Sequence, residues 1–216
     1  MTREEKSRVV LEQFEIPFYE DCRTVDEAYA VLRSPHDIAK RAVTCLFSLQ
    51  IAGDMYYGKN VRESKKYFLK LLQNFEAVEY LTPNESRFVF ETPSREEAAD
   101  MLWKYEACQV LLWASGLTAE LDFPDFLCDS SQILGTVLSF SNFQSLMDHV
   151  RPRPLSVILD ETDIVCRMDY ACVKASAESK EIPAGLSREI LHERKLALLW
   201  MIRGDEPFYA WDDELI

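Results

Sequence analysis

The chain has 216 residues and a mass of 25.1 kDa, enough for one domain with a real hydrophobic core and no need of staples. Its 37 acidic residues against 24 Lys plus Arg give a formal charge of −13, which repels phosphate and excludes DNA, RNA or anionic lipid as the main partner. With 48% apolar residues but only 6 glycines, the composition disfavours disorder, turn-rich all-β folds and glycine-rich nucleotide loops.

Helix signals run from end to end. The first helix is expected over Thr2 to Gln13, with Val9, Val10 and Phe14 as its apolar side. Thr24 and Glu27 then read as a capping box. Ser34-Pro35-His36-Asp37 combines an N-cap serine, a proline at the first helical position and an acid at the third, and opens a long helix ending near Gly53. Lys65 to Phe75 is amphipathic, with Phe68, Leu71, Leu72 and Phe75 at helical spacing. Thr82 with Glu85 and Ser94 with Glu97 repeat the capping grammar, while Arg87 to Glu91 is the one stretch that admits a short strand.

Ser94 launches the most hydrophobic helix, 95–115, apolar nearly all round and so read as central and buried, with Gly116 as its C-cap. Short pieces at Ser131 to Ser139 and Asn142 to Val150 follow. Arg151-Pro152-Arg153-Pro154 is a rigid connector. Helices over Leu155 to Ala177 and from Ser187 to about Arg203 complete the pattern. Two helices cannot bury a core alone, so the C-terminal pair must pack on the rest.

The expected fold is therefore one all-α domain, 1–216, of about eight helices around 95–115. Residues 1–31 form an N-terminal extension and 205–216 an acidic aromatic tail. The charged start has no secretory signal and no apolar run reaches the length of a membrane span, so the cytosol is the expected compartment. Cys22, Cys45, Cys108, Cys128, Cys166 and Cys172 contain no Cys-x-x-Cys pair and read as core thiols.

Four segments carry a family resemblance: LRSPHDIAKRA (32–42), LTPNESRFVFETPSREEAADMLWKYEACQVLLWASGLTAEL (81–121), ILDETDIVCRMDYA (158–171) and LHERKLALLWMI (191–202). With the closing Trp211-Asp212 they resemble the domain of unknown function 4272 family, a mostly bacterial group. Tyr170 departs from that pattern, which has tryptophan there. The resemblance supports the fold and implies no activity.

Several polar residues need an explanation. Glu106 shares a helix face with Trp103, Val110 and Trp113. A carboxylate there is either paired with an arginine (Arg41, Arg167 or Arg194) or a general acid or base in an apolar pocket. Asp160, Asp163 and Arg167 line one face of the 155–177 helix, as a structural network or as a cleft wall. Glu193 and Arg194 are charges embedded in apolar faces of the last helix. Glu189 and His192 make a Glu-x-x-His step, but a di-iron bundle needs two such steps and two further glutamates, so no metal and no cofactor is expected.

Two readings follow. The first is a non-enzymatic module that binds another, basic protein. The second is a small-molecule binder or enzyme using Glu106, Asp163, Arg167, Glu193 and Arg194, lined by Trp103, Trp113 and Trp200, between the central and C-terminal helices.

Overall fold

The computed structural model describes residues 1–212, which fold into ten α-helices joined by short 3₁₀ turns, with no β-strand among them. Residues 213–216 of the expected tail lie outside the described residues.

Local chemistry sets most of the helix starts. Helix α1 (Arg3–Gln13) begins with a complete capping box between Thr2 and Glu5. Its inner side is Ser7 and Leu11, not Val9 and Phe14, which are exposed. Thr24 caps nothing: Asp26 accepts from the Ala28 amide and starts a single 3₁₀ turn. Ser34 caps α2 (Pro35–Tyr56) as expected, accepting from the Asp37 amide. Helix α3 (Val61–Asn74) starts four residues before the expected Lys65, because Asn60 accepts from the Glu63 amide.

Arg87 to Phe90 belong to α4 (Pro83–Phe90), so the expected strand is helical. The Thr82–Glu85 box and Pro83 commit that segment to a helix before its β-leaning residues are reached. The only extended pairing among the described residues is an isolated parallel bridge between Val31 and Arg203.

The expected 95–115 helix is three pieces: α5 (Arg95–Met101), a 3₁₀ turn at Leu102–Lys104 and α6 (Tyr105–Ala114). Every residue of α6 from Glu106 to Ala114 is buried. Helix α2 shares the centre, packing against α3, α4, α5 and α6. Gly116 ends α6 with a φ of +72°, and a Cβ there would stand 2.1 Å from the Arg151 carbonyl oxygen. That close approach lets the Arg151 and Arg153 amides donate to the Ser115 and Ala114 carbonyls at 2.9 Å. The 151–154 connector is thereby sewn onto the core.

Helices α7 (Ser130–Leu138) and α8 (Phe143–Met147) cover one end of the core. Helix α9 (Leu155–Ala177) carries α1 and also packs on α10 (Arg188–Met201), which in turn packs on α6. The C-terminal pair is thus built into one apolar cluster with the rest. No described helix is long and apolar enough to cross a membrane.

Candidate functional site

The polar residues expected to form one cluster divide into three places.

In the first, Arg194 on α10 meets Glu106 on α6 at 2.9 Å, with both side chains almost wholly buried. Their remaining hydrogen-bonding capacity goes to a loop. Arg194 Nη1 donates to the Asp122 carbonyl at 2.6 Å, and Glu106 Oε1 accepts from the Cys128 amide at 2.6 Å. Gln109 Oε1 accepts from Arg194 Nη2 at 3.4 Å. With each carboxylate oxygen bonded to an internal partner and the side chain buried, Glu106 serves the architecture here. Burial, then the neighbouring Glu106 charge, pushes the Cys128 thiol well above its usual range, which disfavours the thiolate.

In the second, Asp163 and Arg167 of α9 pair at 2.7 Å and form the seat of α1. Ser7 Oγ donates to Asp163 Oδ2 at 2.5 Å, and Arg167 donates to the Tyr19 carbonyl while its guanidinium lies over Phe18 at 4.3 Å. Asp160 takes Lys6 at 2.5 Å and Arg3 at 3.5 Å. Asp160, Asp163 and Arg167 thus form the dock of the N-terminal extension, whereas Asp169 farther along α9 pairs with Lys195 and lines a cavity.

In the third, Glu193 stands apart from Arg194 although adjacent in sequence, because neighbouring helical side chains point about 100° apart. It faces Lys104, whose ammonium is 3.7 Å away, on the wall of a surface cavity of about 330 Å³.

The three expected tryptophans do not share a lining. Trp103 borders an adjoining cleft of about 310 Å³ with Glu189, His192 and Glu193, so these two expected residues, Trp103 and Glu193, do meet. Trp113 lies under the Arg153 guanidinium at 4.6 Å, and Arg153 also donates to the Trp113 carbonyl. Trp200 is covered by Arg33 at 4.2 Å and meets Trp211 edge-on at 5.5 Å. Glu189 accepts from its own helix cap, Ser187, at 3.0 Å. Among the described residues no three metal-binding side chains converge.

One buried pair had no sequence signal as a pair. Arg41 on α2 and Glu85 on α4 are both fully buried and in contact, with Thr44 beside them. Glu85 was legible only as a capping residue, yet the same carboxylate accepts from the Thr82 amide and from Arg41. Trp211 lies against this pair, with the Arg41 guanidinium 5.3 Å from its ring. Asp212 then accepts from Thr82 Oγ1 and from the Asn84 amide, both at 2.8 Å. The closing Trp-Asp dipeptide is a plug on the N-terminus of α4.

The model of the family described as Domain of unknown function (DUF4272) matches residues 3–214. The chain belongs to this family. No match was found among curated proteins or solved structures. In the DUF4272 chain the Trp-Asp ending and the Glu-Arg of the last helix are now placed. Trp211 and Asp212 close α4, Arg194 closes the 122–128 loop, and Glu193 is left at a cavity.

Proposed function

We propose that this protein is a non-enzymatic, cytosolic module that recognises a positively charged protein through the loop between α6 and α7. One observation carries the reading: the buried Glu106–Arg194 pair holds the loop at Asp122 and at Cys128, and between those two anchors Phe126 and Leu127 are 79% and 59% exposed. Two further ties stiffen it. Phe123 stacks on Phe14 at 4.3 Å, and the Pro124 carbonyl accepts from the Ser187 amide at 2.9 Å.

Residues 118–130 contain Glu120, Asp122, Asp125 and Asp129 and no Lys, Arg or His. Two exposed bulky apolar side chains flanked in sequence by acids fit a binding hot spot with a charged rim. A loop already held in shape loses little freedom on binding, so more of its contact energy remains as affinity. The free cysteines agree with a reducing compartment. Catalysis by Glu106 or Asp163 is disfavoured, since both are spent on internal partners.

The test is a photo-crosslinking residue placed at position 126 in living cells. A discrete basic protein should be captured, and Asp125→Lys with Glu120→Lys should abolish its capture. Phe126→Ala should leave the unfolding free energy within about 0.5 kcal/mol, as for other exposed positions. No captured protein, or capture indifferent to the charge reversal, refutes the reading.

A further inference from the structure

A cavity of about 740 Å³ lies where α9, α10 and residues 21–25 of the N-terminal extension meet, more than twice the volume of either cleft beside Glu193. Helix α9 contributes Asp169, Tyr170 and Val173, and α10 contributes Lys195 and Leu199, each set at the three- or four-residue step of one helix face. A concave wall of this size that mixes apolar and charged side chains is the usual form of a small-molecule site.

The charged side chains on the wall differ in what they already hold. Asp169 is taken by Lys195. Asp21 accepts from the Tyr170 hydroxyl at 2.8 Å and from Lys174 at 3.1 Å. Both acids are thus met by neighbours. The arginines are not. Among the described residues Arg203 has only Glu206, 3.7 Å away in an exposed pair of little strength. Arg23 has no ion-pair partner and no side-chain hydrogen bond among them. Its segment is nonetheless tied on both sides, at Asp21 and at the Val25 carbonyl, which accepts from Arg3 Nη1 at 3.4 Å. In a chain of charge −13, two uncommitted arginines on one concave wall favour an anion there.

We infer that this cavity binds a small organic acid, one carboxylate on an apolar body. Arg23 takes the carboxylate, whose two oxygens match the guanidinium fork, and Arg203 adds to the attracting field. Val25, Val173 and Leu199 take the body, and Val173, 42% exposed without it, becomes covered. A single negative charge suits the wall better than a phosphate dianion, whose second charge would be repelled by Asp21 and Asp169. The cavity shares no residue with the α6–α7 loop and does not depend on that loop binding a partner.

The experiment titrates octanoate and 2-naphthoate into the intact protein, with 1-octanol, octylammonium and 2-naphthyl phosphate as controls. It follows the methyl resonances of Val25, Val173 and Leu199, and of Leu127 as an exposed apolar reference. The expected result is saturable binding of at least one carboxylate, with shifts at the three cavity residues and none at Leu127. Octanol and octylammonium should bind roughly tenfold or more weakly than octanoate, the equivalent of about 1.4 kcal/mol, and naphthyl phosphate more weakly than naphthoate. Arg23→Gln, at an exposed position, should weaken the carboxylates by a similar factor and leave octanol unchanged. Val173→Glu places an anion on the wall and should abolish binding while the protein stays folded. The bound acid should slow a disulfide reagent at Cys22, which lines the cavity. Phe126→Ala should change nothing here, which separates this site from the loop. No saturable shift at about 1 mM of either acid overturns the inference. So does octanol binding as well as octanoate, phosphate binding better than carboxylate, a parallel shift at Leu127, or binding indifferent to Arg23→Gln.

Discussion

Arg194 grips the carbonyl of Asp122 while its ion-pair partner Glu106 grips the amide of Cys128, so one buried pair closes both ends of a seven-residue loop. Stability and surface shape are coupled at this point. A buried ion pair is weak evidence of net stabilisation, but losing one partner strands the other charge. Glu106→Ala is therefore expected to cost about 3–5 kcal/mol in urea unfolding. Glu106→Gln keeps an acceptor for the Cys128 amide and should cost less. Amide exchange across 122–128 should quicken in both variants, and an unchanged midpoint for Glu106→Ala would remove Glu106 from the architecture.

The seat of α1 makes a second prediction. Ser7→Ala deletes a hydrogen bond to a charged acceptor and should cost about 1.5–3 kcal/mol. Asp163→Ala also leaves Arg167 buried without its acid and should cost more. Hydrogen exchange read segment by segment should show residues 3–13 opening first in both.

The third concerns acid. The Glu97 carboxylate accepts from the Ser94 amide and from Arg87, and these bonds hold it down at about 2 against an unfolded value of 4.5. A depressed carboxylate contributes stability that is fully present above the unfolded value and lost as pH falls through the folded one. The stability gap between the native protein and Glu97→Gln should thus shrink as pH falls from about 4.5 towards about 2. Carbon-13 titration of the Glu97 carboxyl should give a midpoint near the lower value; a midpoint near 4.5 would show that the cap does not form.

A fourth follows from the thiols. Burial pushes Cys166 up to about 12 and Cys172 up to about 11, so thiolate is scarce at pH 8. Cys22, partly exposed, is raised by burial as well. Native protein should react slowly with a disulfide reagent, Cys22 first, and all six should react after denaturation. A fast native thiol at Cys166 or Cys172 would contradict the packing of α9.

Much of the fold was legible because capping chemistry is local. Ser34, Thr82, Ser94 and Ser187 each accept from the backbone amide three residues on, as their spacing implied. The 3₁₀ turn at Leu102–Lys104 was not legible, since its residues all suit a helix; it packs against α2 and α10. The individual charges of the candidate site were visible as polar letters in apolar stripes. Their partners were not: Asp163 bonds Ser7 across 156 positions and Arg194 bonds Glu106 across 88. Helical periodicity says which face a residue is on and nothing about which distant segment covers it. For the same reason the role of Trp211-Asp212 was readable only as a pattern.

The strap formed by residues 200–212 also bears on how the molecule reaches its final state. Arg33 donates to the carbonyls of Trp200, Glu206 and Pro207, the Val31 and Arg33 amides go to Ile202 and Met201, and Asp212 closes α4. Every one of these closures joins an early segment to the far end of the described chain. A chain lacking that end would hold Arg33 and Thr82 without their acceptors, so helices α2 and α4 can form early but cannot lock. Closing such long loops is slow on the scale of helix formation, and the strap should be the last element to order. A molecule whose strap has not yet closed is thus left open at the edge where α2 and α4 begin.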